Sequence, residues 1–336
     1  MNEVRTSAPL APCRPSGSLS SIAVGESEAA LAPAVFPAGR CRTIFDAISA
    51  RMADYAELAK LRIAVLVLVT VSVGYALGSE DRFDAVRLAH ALLGITIAAA
   101  GSSTLNQWWE HRTDALMNRT RRRPIPSGRV GRSEALVFGL ATALAGPLYL
   151  AVTVNPLVAG LTLLTVILYS AIYTPLKPRT ALCTAIGAVP GALPPVLGWA
   201  AAQNGLTWEA FGLFAILFLW QFPHFLAIAW LYQEDYDRAG LKMVPRTTQG
   251  RSLAGLLAVG YAVALIPASL LPEHAGLAGT GYLAAALVLG LGYAFASILF
   301  YRHETAATAR RLLWTSLIYL PTLLCILAWD HYRLLQ

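Results

Sequence analysis

Asn106, Glu110 and Asp114 recur at intervals of four in the segment NQWWEHRTDALMNRTRRRPIPSG, so a helix carries all three on one face. Such a row of oxygen donors suits a hard cation. Magnesium accepts a few carboxylates while keeping waters and the oxygens of a phosphorylated substrate. Arg119, Arg122 and Arg123 follow within a turn or two, and guanidinium groups grip phosphate oxygens in bidentate fashion. The combination points to a magnesium diphosphate. The same spacing also fits a polar helix end rising into lipid headgroups, with Arg121 to Arg123 on anionic lipid, or a path that conducts a proton or an ion. Spacing alone does not choose among these.

A second acidic group, Glu234, Asp235 and Asp237, stands beside Tyr232 and Tyr236 in WQFPHFLAIAWLYQEDYDRAGLKMVP. Between the two groups lies YTPLKPRT, where Tyr173, Lys177 and Arg179 offer a phenol and two cations. That stretch reads equally as a positively charged inner loop with an interfacial tyrosine. His224 is flanked by Phe222, Pro223 and Phe225; a lone histidine in such a setting serves as a hydrogen-bonded core residue or as a haem contact. Trp108, Trp109, Trp199, Trp220 and Trp230 read mainly as interfacial belts. Cys13, Cys41, Cys183 and Cys325 show no C-x-x-C spacing, which supports neither a disulfide framework nor a zinc site.

The elements that must hold these groups are membrane helices. Charged residues make up 13% of the 336 and hydrophobic ones 56%, and the mean hydropathy is +0.55, which excludes an ordinary soluble enzyme and a disordered scaffold. Apolar segments near 61–78, 88–106, 135–152, 156–174, 181–201, 209–231, 252–271, 278–300 and 312–329 predict an all-α polytopic fold with about nine spans. Gly187, Pro190, Gly191, Pro194 and Pro195 predict a kink in the fifth. With the N-terminus inside, nineteen lysines and arginines fall at inner connections and only Arg82, Arg87 and Arg333 at outer ones, so the net charge of +7 mostly reports topology. Both polar loops, 107–134 and 231–251, then emerge on the inner face. Residues 1–44 are rich in Ala, Pro, Ser and Gly and are expected to be a disordered tail before a membrane domain over 45–336. The preference for Arg over Lys suggests a GC-rich bacterial genome and hence a bacterial inner membrane; the mitochondrial inner membrane is the alternative.

At NQWWEHRTDALMNRT with RRPIPSGRV, at YTPLKPRT with IGAVPGALPPVLGW, and at WQFPHFLAIAWLYQEDYDRAGLKMVP, the chain resembles the UbiA superfamily of intramembrane prenyltransferases, and within it the branch that modifies haem. Three long motifs in order, over about 50 to 330, are far more specific than an acidic triplet. The resemblance implies a helical bundle with its site on the cytoplasmic side and transfer of farnesyl from farnesyl diphosphate to a vinyl group of haem B. Water adds in the same reaction, giving haem O for haem–copper oxidases. It implies Mg²⁺ held by Asn106, Glu110, Asp114 and Asp235, with Arg119, Arg122, Arg123 and Lys177 on the diphosphate. His224 would contact haem, with Tyr173 or Tyr232 orienting a substrate. Haem A synthase is the expected partner downstream, and no nucleic acid is involved. Two departures stand out: the wider superfamily's second D-x-x-x-D motif is replaced here by Tyr232 and Tyr236 around Glu234 and Asp235, and Pro178 follows Lys177 where a further basic residue is common. A quinone-precursor prenyltransferase and an ion-coupled transporter are the competing readings.

Overall fold

The computed structural model describes residues 44–79, 83–245 and 253–336. The expected tail lies outside these residues but for Ile44, as do Arg82, Arg246 and Arg251 of the topology count. The described chain is a sequence of helices: α1 (Ile44–Leu58), α2 (Leu61–Gly78), α3 (Ala85–Leu116), α4 (Arg132–Thr153), α5 (Pro156–Leu176), α6 (Cys183–Gln203), α7 (Trp208–Leu231), α8 (Gln233–Arg238), α9 (Ala254–His274), α10 (Thr280–His303) and α11 (Ala306–Leu334). Eight of them, α3 to α7 and α9 to α11, are long and apolar enough to cross a membrane; α1 and α2, which meet at a 55° bend, pass the same test as a pair and bring the number up to nine among the described residues. The chain is a multi-pass membrane protein.

Local chemistry explains where these helices begin and break. Asp84 accepts hydrogen bonds at 3.0 Å from the amides of Val86 and Arg87, capping α3. Asn155 does the same for Val158 at the head of α5, with Pro156 in the first turn, where its missing N–H costs nothing. The prolines do interrupt the helix: α6 is two ten-residue pieces meeting at Leu193, with Pro194 and Pro195 opening the second. Near its C-terminal end α5 loosens into a π-helical stretch, Ile167–Tyr173, a widened turn of the kind that accompanies functional sites.

Small residues let these helices approach closely, as membrane packing requires. A Cβ on Gly101 would run into the backbone of Ala143, and one on Gly198 into the carbonyl oxygen of Val71. The first contact brings α3 onto α4, the second brings α6 onto α2. The two-piece α6 serves two cores. Its Val196 and Trp199 join the core of α7, α9, α10 and α11, while Leu197, Ala200 and Ala201 join that of α2, α3 and α5.

Two expectations are corrected. The second span does not end near 106 but continues to Leu116, so the oxygen row rides on one unbroken helix of 32 residues. Three of the five tryptophans pack in or against the core rather than forming belts: Trp199 is buried, while the half-buried Trp220 donates to the Ser316 carbonyl at 2.9 Å and the half-buried Trp230 packs edge-on against Phe300. Helix α1 was not anticipated. Its Phe45, Ile48 and Met52 form an exposed apolar stripe, and its Asp54 and Glu57 pair with Arg129 of the loop before α4. An amphipathic helix of this kind suits the headgroup boundary.

Candidate active site

The C-terminal end of α3 carries the oxygen row into a small polar chamber. Asn106, Glu110 and Asp114 are 1%, 8% and 0% exposed, far drier than a helix end in the headgroup region would be. Each is met by a cation from elsewhere in the chain. Lys60 Nζ donates to Asn106 Oδ1 at 3.1 Å, Arg123 Nη1 to Asp114 Oδ2 at 2.7 Å, and Lys177 Nζ stands 2.6 Å from Glu110 Oε1 in a close ion pair whose angles fall outside hydrogen-bond geometry. Burial works against the Lys177 ammonium, but the Glu110 carboxylate beside it holds its pKa well above the usual lysine range. Asn106 Nδ2 in turn donates to Thr174 Oγ1 at 3.0 Å, just past the π-helical turn. The backbone helps to close the chamber: the Lys242 amide donates to the Lys177 carbonyl at 2.9 Å, drawing the loop after α8 over it.

This chamber has a volume of about 90 Å³ and is lined by Asn106, Glu110, Asp114, Arg119, Arg123 and Lys177, together with Lys60, Tyr169, Tyr173 and Tyr236. It adjoins a much larger apolar cavity of about 450 Å³. That cavity runs between α2, α3, α5, α6 and α7 and is walled by Ile63, Val67, Ile95, Val166, Pro190, Pro194, Leu197 and Phe225, among others. Lys60, Arg119, Tyr169, Tyr173, Tyr236 and Met243 border both. A charged pocket thus opens onto an oily one. The pairing suits an amphiphile with a polyanionic head and a long hydrocarbon tail.

Not every expected residue reaches this site. Arg122 is exposed on the loop, where its carbonyl accepts from Arg129 at 2.8 Å. Asp235 pairs with Arg238 one turn along α8 at 3.0 Å and lines neither space. Tyr232 is exposed, with the Arg119 guanidinium 5.0 Å above its ring. His224 faces away from the cavity: its Nδ1 lies 2.7 Å from Ser316 Oγ of α11 and its ring stacks on Trp220. Tyr173 does line the cavity, with Lys177 Nζ 4.5 Å above its ring.

Three contributors escaped the sequence reading. Lys60 sits between α1 and α2 in a left-handed conformation, φ 50°, which turns the chain into α2. Tyr169 is one turn before Tyr173 in the π-helical stretch, their rings 5.4 Å apart. Tyr236 accepts from Arg119 at 3.2 Å. All three are ordinary in sequence and reach the site only through the fold, although Tyr236 sits in a motif singled out for its acids.

Among the described residues no group of three or more His, Cys, Asp and Glu side chains converges as a ready-made metal site. Two carboxylates and an amide do converge, and Asp114 Oδ1 is buried without a hydrogen-bond partner among the described residues. That incomplete oxygen set matches magnesium, which takes its remaining ligands from water and phosphate.

Residues 67–318 match the UbiA prenyltransferase family. A protoheme IX farnesyltransferase of Solibacter usitatus is 44% identical over 290 residues, 83% of this chain and 99% of that protein. A protein of the same name from Koribacter versatilis is 40% identical over 84% of this chain and 95% of its own length. Among solved structures, digeranylgeranylglyceryl phosphate synthase superposes with a TM-score of 0.72 at 16% identity, over 84% of this chain and 99% of that one. A UbiA homolog from Archaeoglobus fulgidus bound to GPP and Mg²⁺ superposes with a TM-score of 0.53 at 15% identity over the same shares. At such identities the structural likeness shows the fold alone.

Proposed function

This chain belongs to the UbiA prenyltransferase family, and from that premise we infer that it is an intramembrane prenyltransferase that moves a farnesyl group from farnesyl diphosphate to a vinyl group of haem B, with addition of water, giving haem O. The observation that carries the reading is the charged chamber opening directly onto an apolar cavity five times its volume. It is supported by relatives of that name along nearly their whole length. A quinone-precursor acceptor and ion transport are not favoured, since the named relatives are haem farnesyltransferases and the buried carboxylates come with cations suited to a diphosphate.

Asn106, Glu110 and Asp114 would hold Mg²⁺, whose positive charge at the diphosphate would ease departure of the leaving group. The chain's own part follows from the geometry. Lys177, Arg119 and Arg123 neutralise the charge that grows on the departing diphosphate. To do so, Lys177 and Arg123 exchange the carboxylates they now hold for phosphate oxygens, and Lys60 yields the Asn106 oxygen. Before substrate arrives the chamber holds four cations against two carboxylates, a surplus that suits it to a polyanionic diphosphate. The aromatic border of Tyr169, Tyr173 and Tyr236 faces the developing allylic cation with ring electrons, and the apolar walls keep bulk water from it. We assign the acceptor's edge to Tyr173. His224, Tyr232, Arg122 and Asp235 support the fold or the surface around the site and are assigned no contact with the reacting atoms.

We place the protein in a bacterial inner membrane with its N-terminus and both polar loops cytoplasmic, since the arginines and lysines crowd that side; haem A synthase is the natural recipient of the product. The decisive test is purified protein with haem B, farnesyl diphosphate and Mg²⁺, the haem product weighed by mass spectrometry. A farnesylated, hydroxylated haem is expected, and EDTA is expected to abolish it. Diphosphate release only with an aromatic quinone precursor would discard the haem reading.

A further inference from the structure

Helix α3 carries a second set of buried oxygens one turn above the acidic chamber. Ser103 Oγ and Gln107 Oε1 are both buried and have no hydrogen-bond partner among the described residues; their side chains are 8% and 1% exposed. Orphaned polar atoms at such depth are costly unless something answers them. At a spacing of four residues their side chains stand roughly 5–6 Å apart at Cβ, within reach of one bridging water. Gln107 is held in place from its other end, where Nε2 donates to the Leu58 carbonyl at 2.9 Å. Ser103 borders the apolar cavity. Residues 103, 107, 110 and 114 share one stripe, within about 60° around the helix axis, so the pair continues the row that ends at Asp114, whose Oδ1 is also without a partner among the described residues.

We propose that Ser103 and Gln107 form a buried water site on the wall of the apolar cavity, and that this water is the one added to the prenylated acceptor. The role in catalysis rests on the haem reading above; the site itself does not. In the reaction, farnesyl C1 bonds to the terminal vinyl carbon with the electron pair of the vinyl double bond as the C1–diphosphate bond breaks. The adjacent vinyl carbon is left electron-deficient. The held water donates a lone pair to that carbon, forming the C–O bond, and its surplus proton goes to the released diphosphate. Without a held water the same cation loses a proton from a neighbouring carbon and gives a farnesylated haem lighter by one water. Neither Ser103 nor Gln107 is a base here; both are positioning residues that fix one water in a cavity otherwise closed to it.

Two measurements test this. A structure of the substrate-free protein at a resolution that reveals water is expected to show one bonded to Ser103 Oγ and Gln107 Oε1; a dry gap there overturns the site, whatever the enzyme's substrate. Product partition tests the chemistry. Ser103→Ala, given haem B, farnesyl diphosphate and Mg²⁺, is expected to raise the ratio of dehydrated to hydroxylated farnesyl haem on the order of tenfold, with Ser103→Thr restoring the wild-type ratio. The ratio is independent of how much enzyme folds, and Gln107→Met provides a second variant with the same expected direction. An unchanged ratio in Ser103→Ala and Gln107→Met overturns the role in water addition. Wild-type protein that binds farnesyl diphosphate but never farnesylates haem overturns the acceptor reading instead, and the substrate-free structure still decides the site.

Discussion

Two acidic groups lie near one end of this bundle, built from the same residue types and each next to tyrosines and arginines, yet they have opposite fates. Glu110 and Asp114 ride on the last turns of a 32-residue helix, are almost fully enclosed, and are each met by a cation from outside that helix. Glu234, Asp235 and Asp237 ride on a six-residue helix with no buried residue, and Asp235 turns to its own neighbour, Arg238. Both groups supply carboxylates, but only the first supplies them in a fixed place at low dielectric, where a charge interacts strongly with what enters. The lesson is that the count of acids in a motif says less about chemistry than the length and burial of the element that carries them.

The sharpest test is to neutralise one carboxylate in each group. Asp114→Asn, which keeps the shape, is expected to lower turnover on the order of 10³-fold, measured as haem product formed per minute, with the protein still recovered folded in detergent. Asp235→Asn is expected to change it by less than about threefold, because an exposed pair three residues apart on a helix contributes only a few tenths of a kcal/mol. Comparable losses in both would erase the distinction and return Asp235 to the metal.

Removing a cation is expected to do less than removing the acid it faces. Lys177→Met is expected to raise the KM for farnesyl diphosphate about 10–100-fold, the range for a lost hydrogen bond to a charged group. Arg238→Met, the matching cation of the second group, is expected to leave KM within about twofold. Equal KM values for the two variants would mean that Lys177 serves Glu110 and never the substrate.

How far the sequence foretold this contrast can be said residue by residue. The row at 106, 110 and 114 is legible because helical spacing is local, and the break in α6 is legible because Pro190, Pro194 and Pro195 announce it. Burial is not local. Nothing near Asp235 reveals that its helix stops after six residues, and nothing near His224 reveals that Ser316, 92 residues away, occupies its ring nitrogen. In sequence Lys60 is only a positive charge for topology, because its approach to Asn106 depends on the bend between α1 and α2, which no periodicity encodes.

The smallest expected effect concerns pH. The Lys177 pKa is raised, so whatever stability its cation contributes is complete below the ordinary lysine value of about 10.4 and disappears only as pH climbs through the higher folded value. Thermal midpoints of wild type and Lys177→Met, compared between about pH 6 and 9, should therefore differ by a constant amount. A gap that closes within that window would mean that the ammonium is not held by Glu110.

The loosened turn at Ile167–Tyr173 sets the angular phase of everything after it. Residues in such a widened turn each advance by less than the roughly 100° of an α-helix, so deleting a single residue there would let the stretch close into regular helix, keeping Lys177 near its phase while removing the widening that holds Tyr169 and Tyr173 at the site. Composition and motif order would survive such a deletion almost intact. For this bundle, a one-codon gap in that stretch would cost the site its aromatic border while leaving its charged pairs in place.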